Sequence, residues 1–189
     1  MAVNTVRVNT MAEKRVMTNN SNNNELQIVD LILVAVLLAA GIVLRFLSTS
    51  FSFFGMKPNF MIAMYCLAIL LIRPKLIYGA IIGLIAGALC QVNTPSPFLN
   101  LYSELFGAIV MCLLIRIPMQ AGKVNLTPIV STFVSTVVSG GSFVVGLFLF
   151  YHMEASAMAA YVPIVLGTAI INTIIVYILY LPLKTALKK

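Results

Sequence analysis

Arg45, Lys57 and Glu104 are ionisable residues set in a chain that is 61% hydrophobic and only 9% charged. A charge at the centre of a membrane helix costs about 2.5–3.5 kcal/mol on insertion scales, so each such group marks a site that binds or moves something. Around them in sequence lie Asn59, Gln91, Asn93, Asn100, Tyr102 and Ser103, interleaved with Phe46, Phe51, Phe53, Phe54, Phe60 and Phe98. Two readings stand side by side. In the plain one, Arg45 and Lys57 reach outer head groups, Glu104 pairs with one of them, and the phenylalanines form an interfacial belt. In the functional one the cluster is a pocket, with cations for a carboxylate, Glu104 for an ammonium and aromatic faces for a ring-bearing side chain. A zwitterionic aromatic amino acid meets those demands. The stretches 93–97 and 151–154 are placed to close over such a pocket. His152 and Glu154 read as solvated loop residues, and one histidine makes no metal site alone.

Catalysis finds no support. The chain has no H-E-x-x-H, no G-x-S-x-G and no pair of intramembrane aspartates, and Asp30 lies at the edge of the first apolar run. Without a G-x-x-x-x-G-K-[ST] run it carries no nucleotidase, so any energy for work comes from elsewhere. Neither catalytic residues nor a cofactor are expected. The net charge of +7 would suggest nucleic acid in a soluble protein. In a chain this apolar, the same excess marks cytoplasmic loops instead. Cys66, Cys90 and Cys112 sit in apolar runs without C-x-x-C spacing and read as small core residues.

These residues must be positioned by helices. At about 20 apolar residues per span, 189 residues hold about six spans with short loops and one tail. Six apolar segments, 29–47, 58–72, 76–92, 99–117, 126–150 and 157–181, alternate with stretches rich in Pro, Gly, Ser and Asn. Without the period-2 alternation of barrel strands, these runs read as helices, giving an all-α integral membrane protein. Residues 1–28 are polar and asparagine-rich and read as a disordered cytoplasmic tail, with nothing removed as a signal. Residues 29–189 form the transmembrane domain. Ten of the twelve Lys and Arg fall in the tail, the second and fourth loops and the C-terminus, which places both termini in the cytoplasm. Arg45 and Lys57 are left on the opposite face.

Gly79, Gly83 and Gly87 bare one face of the third helix for close approach of a neighbour. Ser131, Ser135 and Ser139 make a similar stripe on the fifth, and Gly140-Gly141 suggests a kink or a local opening there. Ala35 and Ala39, four apart on the first helix with Ala40 beside them, read as internal packing on their own.

Gly55-Met56-Lys57-Pro58 leading into Asn59-Phe60-Met61, Asn100 opening the fourth helix, Ser139-Gly140 in the fifth and Asn172-Thr173 in the sixth form a recognisable set. Together with the size, six spans and alanine pair, they resemble the substrate-binding S components of energy-coupling factor (ECF) transporters, specifically those assigned to tryptophan transport. The resemblance covers residues 29–182. It implies a bacterial cell-membrane protein that binds tryptophan, or a related small molecule, near the extracellular side under a lid formed by the first loop. It implies docking through Ala35 and Ala39 onto a transmembrane coupling (T) subunit driven by two ATPase subunits, followed by toppling in the bilayer. Lys57 and Asn59 match the family's loop, and Asn100 and Asn172 match positions that face the pocket. The pair after the helix-four asparagine departs from the family's acidic-then-basic pattern, being Ser103-Glu104 here. The expected substrate contacts are therefore Arg45, Lys57, Asn59, Asn100, Tyr102, Glu104 and Asn172. Other readings remain: an S component for a vitamin of the riboflavin or thiamin class, a secondary transporter with Glu104 carrying a proton, or a structural subunit.

Overall fold

In the computed structural model, the described residues are 26–48, 50, 57–94, 96–122 and 124–187. Most of the expected tail, and Gly55-Met56 of the first loop, lie outside them.

The described residues form six α-helices: α1 (Ile28–Ser48), α2 (Met61–Ile72), α3 (Leu76–Leu89), α4 (Leu99–Leu114), α5 (Thr127–Tyr151) and α6 (Ala155–Ala186). A 3-10 turn, Cys90–Asn93, extends α3, and a two-residue hairpin, β1 (Gln120–Ala121) with β2 (Val124–Asn125), joins α4 to α5. Punctuation sets the ends. Arg73 takes a left-handed conformation (φ 46°) to close α2, just ahead of Pro74, which cannot continue a helix. His152 (φ 52°) does the same for α5, and α6 then starts within three residues. The sixth apolar segment was expected to end near 181, but α6 continues through Pro182 to Ala186 and carries Lys184 over the Tyr180 ring at 5.6 Å. Gly140-Gly141 produces no break, as α5 is continuous across it.

α2 is the central helix. Every residue from Met61 to Leu71 is buried, and α2 touches each of the other five helices. Its sequence is apolar all round, as a helix with no solvent or lipid face must be. Its twelve residues span about 18 Å, well short of a hydrocarbon layer of about 30 Å. The difference leaves room above its N-terminus. α1, α5 and α6 are the helices long and apolar enough to cross a membrane, and α2, α3 and α4 are shorter apolar helices among them. Outward-facing Val36 and Val43 on α1, Phe148 and Leu149 on α5 and Ile174 and Ile178 on α6 are each more than 40% exposed. So much contiguous apolar surface suits lipid rather than water.

The three glycines of α3 face α4. A Cβ on Gly83 would sit 2.6 Å from that of Ala108, and one on Gly87 2.7 Å from the Asn100 carbonyl oxygen. The stripe does the close packing that its spacing announces. The alanine pair does not pack internally: Ala35 and Ala39 are exposed, with Ala40 and Val36, along one outward face of α1. All three cysteines are buried thiols.

Candidate functional site

Residues from the C-terminal end of α1, the approach to α2, the segment after α3, the start of α4, and the facing halves of α5 and α6 converge at one end of the bundle. They enclose a cavity of about 590 Å³, within the range of small-molecule sites.

The polar wall is built on Asn59. Its Oδ1 accepts from Arg45 Nη1 (3.3 Å) and from the Met61 backbone N–H (3.3 Å) in the first turn of α2, while its Nδ2 donates to Glu104 Oε1. Donors on one side and a carboxylate on the other leave the amide a single orientation. Behind it, Asn172 Nδ2 donates to the Asn59 backbone carbonyl (3.1 Å) and reaches the Thr136 hydroxyl at 3.5 Å. Arg45 Nη2 also donates to the Cys90 carbonyl (3.0 Å), at the junction of α3 and its 3-10 extension. Glu104 is fully buried, and Ser139 Oγ donates to its Oε2 (3.0 Å). One connected path of hydrogen bonds therefore runs from α1 through the α2 approach and α4 to α5. A connected network of this kind fixes each member's position in a low-dielectric interior.

α5 and α6 supply most of the apolar lining. Gly140, Phe143 and Leu147 line the cavity from α5 and Tyr161 and Val165 from α6, with Val165 packed into the space that Gly140 leaves open, and Ile62 contributes from α2. Ser48, Lys57, Thr94, Ser96 and Met153 also line it, as do Asn100 and Ser103 of α4, Thr136 of α5 and Thr168 of α6. The result is amphipathic: charged, amide and hydroxyl groups line the cavity together with aromatic and aliphatic ones.

Of the residues expected to contact substrate, Arg45, Lys57, Asn59, Asn100 and Glu104 line this cavity. Tyr102 does not. Its hydroxyl donates to the Ser142 carbonyl (2.6 Å), its ring stands edge-on to Phe106 and Phe150, and it occupies the space that Gly146, lacking a Cβ, leaves open. Asn172 stands one layer back, holding Asn59 rather than facing the space. Of the phenylalanines expected around the pocket, the three described ones stand outside the lining. Phe46 and Phe98 are 49% and 72% exposed, and Phe60 is absent from the lining. Phe51, Phe53 and Phe54 fall outside the described residues. Phe143 and Tyr161 supply the aromatic lining instead. Sequence reading missed them because aromatics in an apolar run look the same whether they face lipid or a cavity. The serine stripe is more than packing. Ser135 Oγ donates to the Gly107 carbonyl (2.8 Å), whereas Ser139 faces Glu104 and the cavity. His152 and Glu154 are exposed, as expected of loop residues.

An apolar helical bundle with helices of membrane-crossing length, closed around an amphipathic cavity at one end, defines an α-helical membrane protein equipped to hold a small molecule. Residues 27–188 match the family described as "Tryptophan transporter TrpP", and the chain belongs to that family. It is similar to a "Probable tryptophan transport protein" of Clostridium acetobutylicum, 30% identical over 84% of this chain and 93% of the relative. A protein of Bacillus subtilis with the same description is 26% identical over 85% of this chain and 93% of its own length. No solved structure matches.

Proposed function

We propose that this chain is the substrate-binding S component of an ECF-type importer in a bacterial cell membrane, capturing tryptophan on the extracellular side for ATP-driven uptake. On this reading residues 29–189 are one six-span binding domain, residues 1–28 are a cytoplasmic tail, and both termini are cytoplasmic. The amphipathic cavity carries the reading. It offers Lys57 and Arg45 for a carboxylate and an aromatic-aliphatic wall for an indole, in a chain of the tryptophan transporter family. The charge distribution supports the orientation: Arg73, Lys75, Arg116 and Lys184 lie at the helix ends away from the cavity, the side that positive charge keeps cytoplasmic. No ATPase motif is present, so the energy would come from two ATPase subunits through a transmembrane coupling subunit. Ala35 and Ala39, exposed and small, suit close helix-on-helix docking with that subunit.

The chain contains no tryptophan, so the fluorescence of an added tryptophan can be read at the red edge of the indole band against a silent protein. Purified protein should shift that emission to the blue, and calorimetry should show heat for tryptophan but none for riboflavin or thiamin. A flat titration with tryptophan would overturn the cargo. Lys57→Ala should weaken binding about 10-fold, the worth of one charge-assisted contact, while Lys75→Ala should leave it unchanged. Equal losses would mean the cavity is not the site. Replacing Ala35 or Ala39 with leucine should lower tryptophan uptake by cells several-fold while the affinity of the purified protein stays the same. Unaltered uptake in both variants would place the docking face elsewhere.

A further inference from the structure

Five of the hydroxyl groups lining the cavity share a feature that bears on what the site reads. Ser48 donates its proton to the Arg45 carbonyl (2.7 Å), Ser103 to the Asn100 carbonyl (3.4 Å), Thr136 to the Thr132 carbonyl (2.9 Å), Ser139 to Glu104 (3.0 Å) and Thr168 to the Ile164 carbonyl (2.7 Å). A hydroxyl has one proton and two lone pairs, so each of these, with its proton engaged, meets a ligand as an acceptor. Amid the apolar lining this matters most at Thr168. It is 6% exposed, lines the cavity, and follows Tyr161 and Val165 on the same face of α6. Thr136 is less available, because Asn172 Nδ2 approaches its oxygen from behind.

The geometry points to Thr168 Oγ1 as the acceptor for the ring N–H of the cargo, making it the residue that selects an indole over an isosteric ring without that donor. This rests on the tryptophan reading above and adds the atom that would enforce it. A hydroxyl bonded back to the carbonyl one turn earlier keeps its lone pairs for another donor, and Thr168 lines the cavity about one turn along α6 from Val165, on which an aromatic ring would pack. A ligand lacking the N–H leaves that oxygen desolvated and unmatched, which is how a polar group in an apolar wall discriminates.

The test compares tryptophan with the analogue in which sulfur replaces the ring N–H, on the wild-type protein and on Thr168→Val and Thr168→Ser. The wild type should prefer tryptophan by about 10- to 100-fold. Thr168→Val, nearly isosteric, should lose that factor for tryptophan and bind the sulfur analogue as well as the wild type does, so that the preference disappears. Thr168→Ser should retain the preference. A Thr168→Val variant that weakens both ligands equally, or keeps the preference, would overturn the assignment. So would a preference abolished by Thr136→Val but not by Thr168→Val. If wild-type protein binds neither compound, it is the cargo reading itself that has failed.

Discussion

Replacing Asn59 with leucine should abolish measurable tryptophan binding and destabilise the protein by roughly 3 kcal/mol, the scale of breaking a buried charged network. Leucine fills a similar volume but offers neither end of the amide. Glu104 Oε1 loses the Nδ2 donor, Arg45 Nη1 loses Oδ1, and the Met61 N–H loses its acceptor at the start of the central helix. Glu104 is fully buried, so losing that donor leaves its carboxylate short of a partner at a high cost. Fluorescence titration reads the first effect, and unfolding by heat or by graded sodium dodecyl sulfate in detergent micelles the second. Glu104→Gln should cost less, since the amide oxygen can still accept from Asn59 Nδ2 while the amide NH2 donates to Ser139 Oγ, whose hydroxyl can turn to accept. A double-mutant cycle between the two positions should give a coupling of more than about 1 kcal/mol. Strict additivity would mean that Asn59 and Glu104 do not act as a unit.

How far the chain could be read in advance follows from which physical signals survive in an apolar sequence. Hydropathy and Gly/Pro punctuation located all six helices, since both are properties of contiguous stretches. The charged residues stood out because an apolar background makes each one costly, and Arg45, Lys57 and Glu104 do share one cavity. What stayed hidden is relational. Nothing local tells that Tyr102, with a polar tip in a polar neighbourhood, turns toward Ser142 while Asn100, two residues earlier, lines the cavity. Nothing tells that Phe143 and Tyr161 differ from the lipid-facing Phe148 and Phe150, because amphipathic periodicity loses its meaning when both the outside and the inside are apolar. The four- and three-residue spacing of Tyr161, Val165 and Thr168 was available, yet the same spacing occurs in any helix-packing stripe. The alanine pair shows the converse: small residues alone favoured an internal contact, and only the placement of α1 at the outside of the bundle turned that face outward.

The glycine stripe makes the sharpest packing prediction because its three positions meet different neighbours. At Gly79 an added methyl would meet the Cys112 thiol, a side chain that can rotate away. At Gly87 it would meet backbone, with the Asn100 carbonyl oxygen at 2.7 Å and Leu101 Cα at 2.8 Å, and relief requires moving α3 off α4. Gly87→Leu should therefore cost at least about 3 kcal/mol, at the upper end of overpacking penalties, and Gly87→Ala somewhat less. The displacement also acts on function, since the backbone pushed aside belongs to Asn100 in the cavity wall. Tryptophan affinity should fall along with stability in Gly87→Ala, whereas Gly79→Ala should keep its affinity. Gly141 provides the contrast: it lies inside α5 with nothing within 4 Å of an added Cβ, so Gly141→Ala should lose neither stability nor affinity and gains whatever helix propensity contributes, up to about 1 kcal/mol. Similar unfolding profiles for the alanine variants at 87 and 141 would mean that α3 and α4 do not approach each other as closely as the glycine stripe permits.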